Sequence, residues 1–96
     1  MGNIEFAWDR RKAQSNLVKH GVSFEEAQSV FLDENARLLA DPDHSADGDR
    51  FLLLGYSFQA RCLLVSHCYR ESDSVIRLIS ARRATVREEE EYWSFQ

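Results

Sequence analysis

Three strand-like runs, RFLLLGYS, RCLLVSHCY and SVIRLISA, succeed one another between Arg50 and Ala81, joined by the links FQA and RESD. Links this short are hairpin connections, so the runs predict adjacent antiparallel strands. A sheet of this kind buries one face only if another layer covers it. The covering layer must come from the segments on either side of the runs.

Those segments read as helices. IEFAW alternates Ile4, Phe6 and Trp8 as a short strand does. Asp9 is then a good N-cap for a helix over roughly 10–20, closed by Gly21, with Lys19 and His20 in the last turn where the helix dipole favours cations. In VSFEEAQSVF, Ser23 and Glu26 have capping-box spacing, and Phe24, Ala27, Val30 and Phe31 fall on one helical face. NARLLAD reads as a brief strand, and Thr85 with Glu88 sets a second capping box before the final helix. The predicted order is β-α-α-β-β-β-α. This is an α+β fold: a twisted antiparallel sheet of three to four strands flanked by helices, in one domain spanning 1–96.

Composition narrows the class. Among 96 residues, 44% are apolar and 29% charged, as in a globular and not a disordered chain. No apolar run reaches the ~18 residues of a membrane span, and MGNIEFAWDRRKAQ has no apolar signal core, so a cytoplasmic protein is expected. The Met-Gly start lacks the Ser or Thr that myristoylation wants, since Phe6 stands there. Cys62 and Cys68 lie on one strand, roughly 20 Å apart, and are expected to stay reduced. No spacing suggests zinc, the aspartates of DPDHSADGD do not fit a calcium loop, and no cofactor fingerprint occurs. Charge is segregated: residues 21–49 carry Arg37 against eight acids, whereas 50–87 carry seven arginines against Glu71 and Asp73. That asymmetry points to a basic surface for an anion.

The candidate chemistry comes from the last hairpin. If Tyr69 pairs with Val75, His67 lies opposite Arg77 with side chains ~5 Å apart on one face. A neutral imidazole beside a guanidinium suits phosphate chemistry, with proton transfer from one and a donor fork from the other. Arg82 and Arg83 point to opposite faces of an extended chain, and parity puts Arg83 on the Arg77 side. The alternative for both is an ion pair to the glutamates of the final helix. Lys19, His20 and Arg50 are further candidates for gripping an anion, and Tyr92 for stacking on a base if the last helix closes over the sheet. His44 is expected to be exposed. Glu25 and Glu26 read as an exposed helix face, and no nucleophile triad is visible.

These motifs carry a family resemblance. Phe6, Trp8, Asp9, Lys12 and Asn16, then Lys19-His20-Gly21-Val22 and Phe24-Glu25-Glu26-Ala27, resemble the opening pattern of the BrnT toxins. RFLLLGYS and IRLISARRATVREEEEY are similar to that family's later strands and closing helix. The resemblance implies a RelE-like fold and a toxin of a bacterial type II toxin–antitoxin pair that cleaves RNA without a metal. It implies a BrnA-type ribbon-helix-helix antitoxin as partner, with DNA reached only through that antitoxin. On this reading His67, Arg77, Arg82 and Arg83 are catalytic, and Lys19, His20, Arg50 and Tyr92 bind RNA. The alternative is a non-catalytic module that engages an antitoxin and tunes repression of their operon. The acidic REEEEYWSF departs from the closing helix expected of the family, and would repel RNA or face a basic antitoxin.

Overall fold

The computed structural model describes residues 4–42, 50–70 and 74–95. The acidic loop with His44 and the tip of the last hairpin lie outside them. The element order is β1 (Glu5–Ala7), α1 (Arg10–His20), α2 (Phe24–Ser29), a 3₁₀ turn (Val30–Leu32), β2 (Arg37–Ala40), β3 (Arg50–Tyr56), β4 (Cys62–Arg70), β5 (Val75–Arg83) and α3 (Val86–Ser94). The α+β class is as expected. Among the described residues, however, the sheet has five strands in the order β1-β5-β4-β3-β2, and β1 runs parallel to β5. The sheet is therefore mixed: a short first strand adds to the edge of the antiparallel set through Phe6 opposite Ile76.

The helix ends obey the local rules. Asp9 accepts the backbone N–H of Arg11 at 2.7 Å, and Gly21 closes α1 at φ 67°, which side chains with a Cβ adopt at a cost. At α3, Thr85 and Glu88 complete both halves of the capping box. At α2 only one half forms. Ser23 accepts the Glu26 N–H, but the Glu26 side chain turns elsewhere.

α1, α2 and the 3₁₀ turn cover one face of the sheet. Val22, Phe24, Ala27 and Val30 meet Leu53, Leu63, Val65, Ile76 and Leu78 there in a core that water does not reach. Gly55 lies beneath the 3₁₀ turn, where a Cβ would come within 2.9 Å of Ala36 Cβ and Asp33 Oδ2. α3 packs on the other face, with Tyr92 against Leu54, Cys62 and Leu64. α3 covers only part of that second face, and the uncovered part forms a groove.

Asn16 locks α1 to the sheet. β1 pairs only with the first residues of β5, so Ala81 further along lacks a strand neighbour on that side. The Asn16 amide stands in for one. Its Nδ2 donates to Ala81 O at 2.8 Å and its Oδ1 accepts from Ala81 N at 3.0 Å, the two bonds a neighbouring strand would make. Nδ2 also donates to Val22 O at 2.9 Å. Removing the amide strands buried backbone groups at ~1–3 kcal/mol each. His20, one turn beyond Asn16 on the same helix face, is thereby fixed at the sheet edge.

Candidate active site

The strand register decides which polar residues can meet. Tyr69 pairs with Ile76, not Val75, so His67 stands opposite Leu78 and Arg77 opposite Cys68. His67 and Arg77 therefore lie on opposite faces, and the expected pair does not form. The slip has a physical cause. The other register would turn Arg77 into the apolar layer under the helices and push Ile76 and Leu78 out of it. Further along, a bulge between Ser66 and His67 adds one residue to β5, so that Ser66 pairs with Ser80. The extra residue reverses the parity of the rest of β5. Arg82, opposite Leu64, joins the Arg77 face, and Arg83, opposite Leu63, goes to the helix side.

Several expected site residues are thus structural. His67 is fully buried among Phe31, Phe51 and Tyr69. Its ring nitrogens face Val65 O at 3.2 Å and the Tyr69 hydroxyl at 3.3 Å. Burial pushes its pKa down, keeping the ring neutral, and leaves no path for a phosphate. Tyr92 is also buried, and its hydroxyl donates to Asp33 at 2.8 Å. Burial and that bond raise it to about 12, so it packs the core and meets no base. Arg83 is exposed on the helix side. Glu26, expected on a solvent-facing helix surface, is 1% exposed and held by Ser57 Oγ at 2.6 Å and by the Arg61 guanidinium, whose Nε approaches to 2.9 Å. The Arg61 bonds, aided by Ser57, outweigh burial and lower its pKa.

The other face carries a groove of about 400 Å³. His20 from the end of α1, Arg50 from the start of β3, Ser66 and Ser80 from the bulged strands, and Arg82 with Glu88 from the β5–α3 junction line it. Three of the expected site residues, His20, Arg50 and Arg82, are brought together here. Arg77 shares this face but not the groove: Arg50, Cys68 and Arg77 form one row across three strands, beyond the Ser66–Ser80 pair. Lys19 is exposed and does not line it.

Arg82 is only partly used. Its Nη1 and Nη2 donate to Glu88 Oε1 and Oε2, both at 2.9 Å, and Nη1 also reaches Arg83 O at 3.1 Å. That is the end fork of the guanidinium. The side fork, Nε–H with the second Nη2–H, has no acceptor among the described residues, and a fork of this shape matches two phosphate oxygens. The Arg82 bonds hold the Glu88 carboxyl below its ordinary range, against the effect of burial. Among the described residues no three His, Cys, Asp or Glu side chains cluster as a metal site.

Residues 8–88, nearly the whole chain, match the profile of the ribonuclease toxin BrnT of type II toxin–antitoxin systems. The chain belongs to the BrnT family of ribonuclease toxins. Its fold is that of the Brucella abortus ribonuclease toxin BrnT, solved as a crystal structure. The TM-score is 0.68 at 21% identity, over 86% of this chain and 99% of that one. A comparison with curated protein sequences returns no match. The BrnT assignment also makes an antitoxin the partner expected of a type II system.

Within this BrnT-family chain, sequence reasoning missed Glu88 and Asp41 as groove residues. By spacing, Glu88 reads as part of a helix cap, which it is. Its second role became visible only when the bulge carried Arg82 to the groove face. The Arg82–Glu88 spacing of six residues across a strand–helix junction was the one available signal. No described helix is long and apolar enough to cross a membrane.

Proposed function

We propose that this chain is a metal-independent endoribonuclease of the cytoplasm that arrests growth and is neutralised by a BrnA-type ribbon-helix-helix antitoxin. RNA supplies the nucleophile. Its 2′-hydroxyl attacks the adjacent phosphate and leaves a 2′,3′-cyclic end. His20 moves a proton, as a histidine does near neutral pH. The side fork of Arg82 takes two phosphate oxygens and stabilises the charge that builds on them. Arg50 grips the backbone, and Arg77 extends the basic surface along the same face. DNA is reached only through the antitoxin.

One observation carries this reading. His20, Arg50 and Arg82, from segments far apart in sequence, converge on a single groove, and Arg82 keeps a phosphate-shaped fork open within it. The test is incubation of the purified protein with RNA in EDTA, with and without ribosomes. Cleavage to cyclic-phosphate ends is expected. Arg82→Ala should slow it ~10²–10³-fold and abolish growth arrest while antitoxin binding survives. The fold should survive too, because a partly exposed ion pair contributes ~0–1 kcal/mol. Absence of cleavage under every condition would instead favour a non-catalytic module that binds the antitoxin.

A further inference from the structure

Cleavage by the 2′-hydroxyl needs two proton transfers, one from that hydroxyl and one to the departing 5′ oxygen. His20 supplies one agent. We infer that Glu88 is the other: it is the general base that takes the 2′ proton, and His20, as imidazolium, is the acid. The inference rests on the ribonuclease reading of the groove.

Three features of the site support it. Glu88 lines the same groove as His20, and its side chain is 26% exposed there. Oε1 is taken up by Arg82 Nη1 and by Thr85 N at 2.8 Å, but Oε2 accepts only from Arg82 Nη2. A carboxylate oxygen has a second lone pair, so Oε2 keeps one for a hydroxyl. Lastly, one guanidinium serves both groups. A phosphate on the side fork of Arg82 lies beside the carboxylate on its end fork, and the arginine offsets the repulsion between those two anions. The carboxyl is held ionised by those same bonds, which suits a base and not an acid. Asp41, the other carboxyl of the groove, is nearly fully buried at 7%.

The step balances. The 2′-O–H proton passes to Glu88 Oε2 as the 2′-O–P bond forms. The P–O5′ bond breaks, and His20 gives its proton to O5′. The products are a 2′,3′-cyclic phosphate and a free 5′-hydroxyl. Exchange with water resets both groups.

Glu88→Gln tests the base role apart from the cap, because Gln at this position still completes a capping box. In the full-length protein with an RNA oligonucleotide, kcat should fall ~10²–10⁴-fold with KM within a few-fold and Tm nearly unchanged. The acidic limb of the wild-type kcat–pH profile should vanish. The charged and titratable groups that line the groove with Glu88 are Arg82 from β5, His20 from α1, Arg50 from β3 and Asp41 beyond β2. Thr85→Ala, which removes the cap and keeps the carboxylate, should lower Tm with kcat within a few-fold. Wild-type rates in Glu88→Gln, or an acidic limb that persists there and disappears in Asp41→Asn, would overturn the assignment. So would an equal loss of kcat in Thr85→Ala, since the role would then be structural. A wild-type protein that cleaves no RNA would bring down the ribonuclease reading, and this inference with it.

Discussion

Two histidines and two arginine–glutamate pairs are divided between the two faces of one sheet. On the helix-covered face, His67 is enclosed by aromatic rings, and Arg61 meets a Glu26 that water barely touches. On the other face, His20 lines a groove, and Arg82 gives Glu88 two of its five donors. The residue types are the same and their meaning is not. A buried group is fully satisfied by the protein and has nothing left to offer. A group at a groove keeps donors, lone pairs and access. Chemistry is therefore read from what a side chain has left over after folding.

The two histidines provide the strongest way to break this contrast. His20→Ala should slow RNA cleavage ~10²–10⁴-fold with Tm nearly unchanged. His67→Ala should do the reverse. Among folded molecules kcat stays within a few-fold, while a cavity in the core costs about 2–4 kcal/mol by urea unfolding. A variant of His67 that folds and fails to cleave would return the catalytic role to the covered face.

The two ion pairs come next. Breaking a fully buried pair typically costs ~3–5 kcal/mol, because one charge is left without compensation. Arg61 is 26% exposed, so Arg61→Ala is expected to lower stability by about 2–3 kcal/mol and to leave cleavage intact. Arg82→Ala should affect stability far less and activity far more. Parallel urea curves and initial rates on the two variants sharpen the comparison.

The smallest effect is a pH dependence belonging to the covered face. His67 has a folded pKa below its ordinary 6.5, so as pH falls below 6.5 the unfolded chain takes up a proton first and stability declines. Glu26 has a folded pKa below its ordinary 4.5, so its contribution is complete above 4.5 and is lost as pH falls through the folded value. Urea midpoints should be level near neutrality, fall below about 6.5, and fall further below about 4.5. His67→Leu should remove the first decline.

Much of the frame was legible because it is encoded locally. Asp9, Gly21, Ser23 and Thr85 act within a few residues of themselves, and each bounds a helix where the pattern placed it. Apolar runs joined by short links marked RFLLLGYS and RCLLVSHCY as strands. β1 was legible as a strand, but its parallel partner was not, since the partner lies about seventy residues away in sequence. The same limit applied to Glu26. Its spacing from Ser23 suggested a cap, whereas its carboxylate is claimed by Arg61 and Ser57 on a distant turn.

The site was legible by residue type and not by arrangement. The sequence alone determined that basic residues accumulate in 50–87, that His20 ends a helix, and that Thr85 and Glu88 begin one, because charge, capping and dipole effects are short-ranged. Tertiary structure alone decided which of these meet. One step of register put His67 under the helices and Arg77 outside them, and one bulged residue carried Arg82 across to the groove. Register is set by packing the whole apolar layer at once, so no stretch of sequence holds it. The arginines were visible from the start; which one keeps a donor fork open in the groove was decided only by the register of the folded sheet.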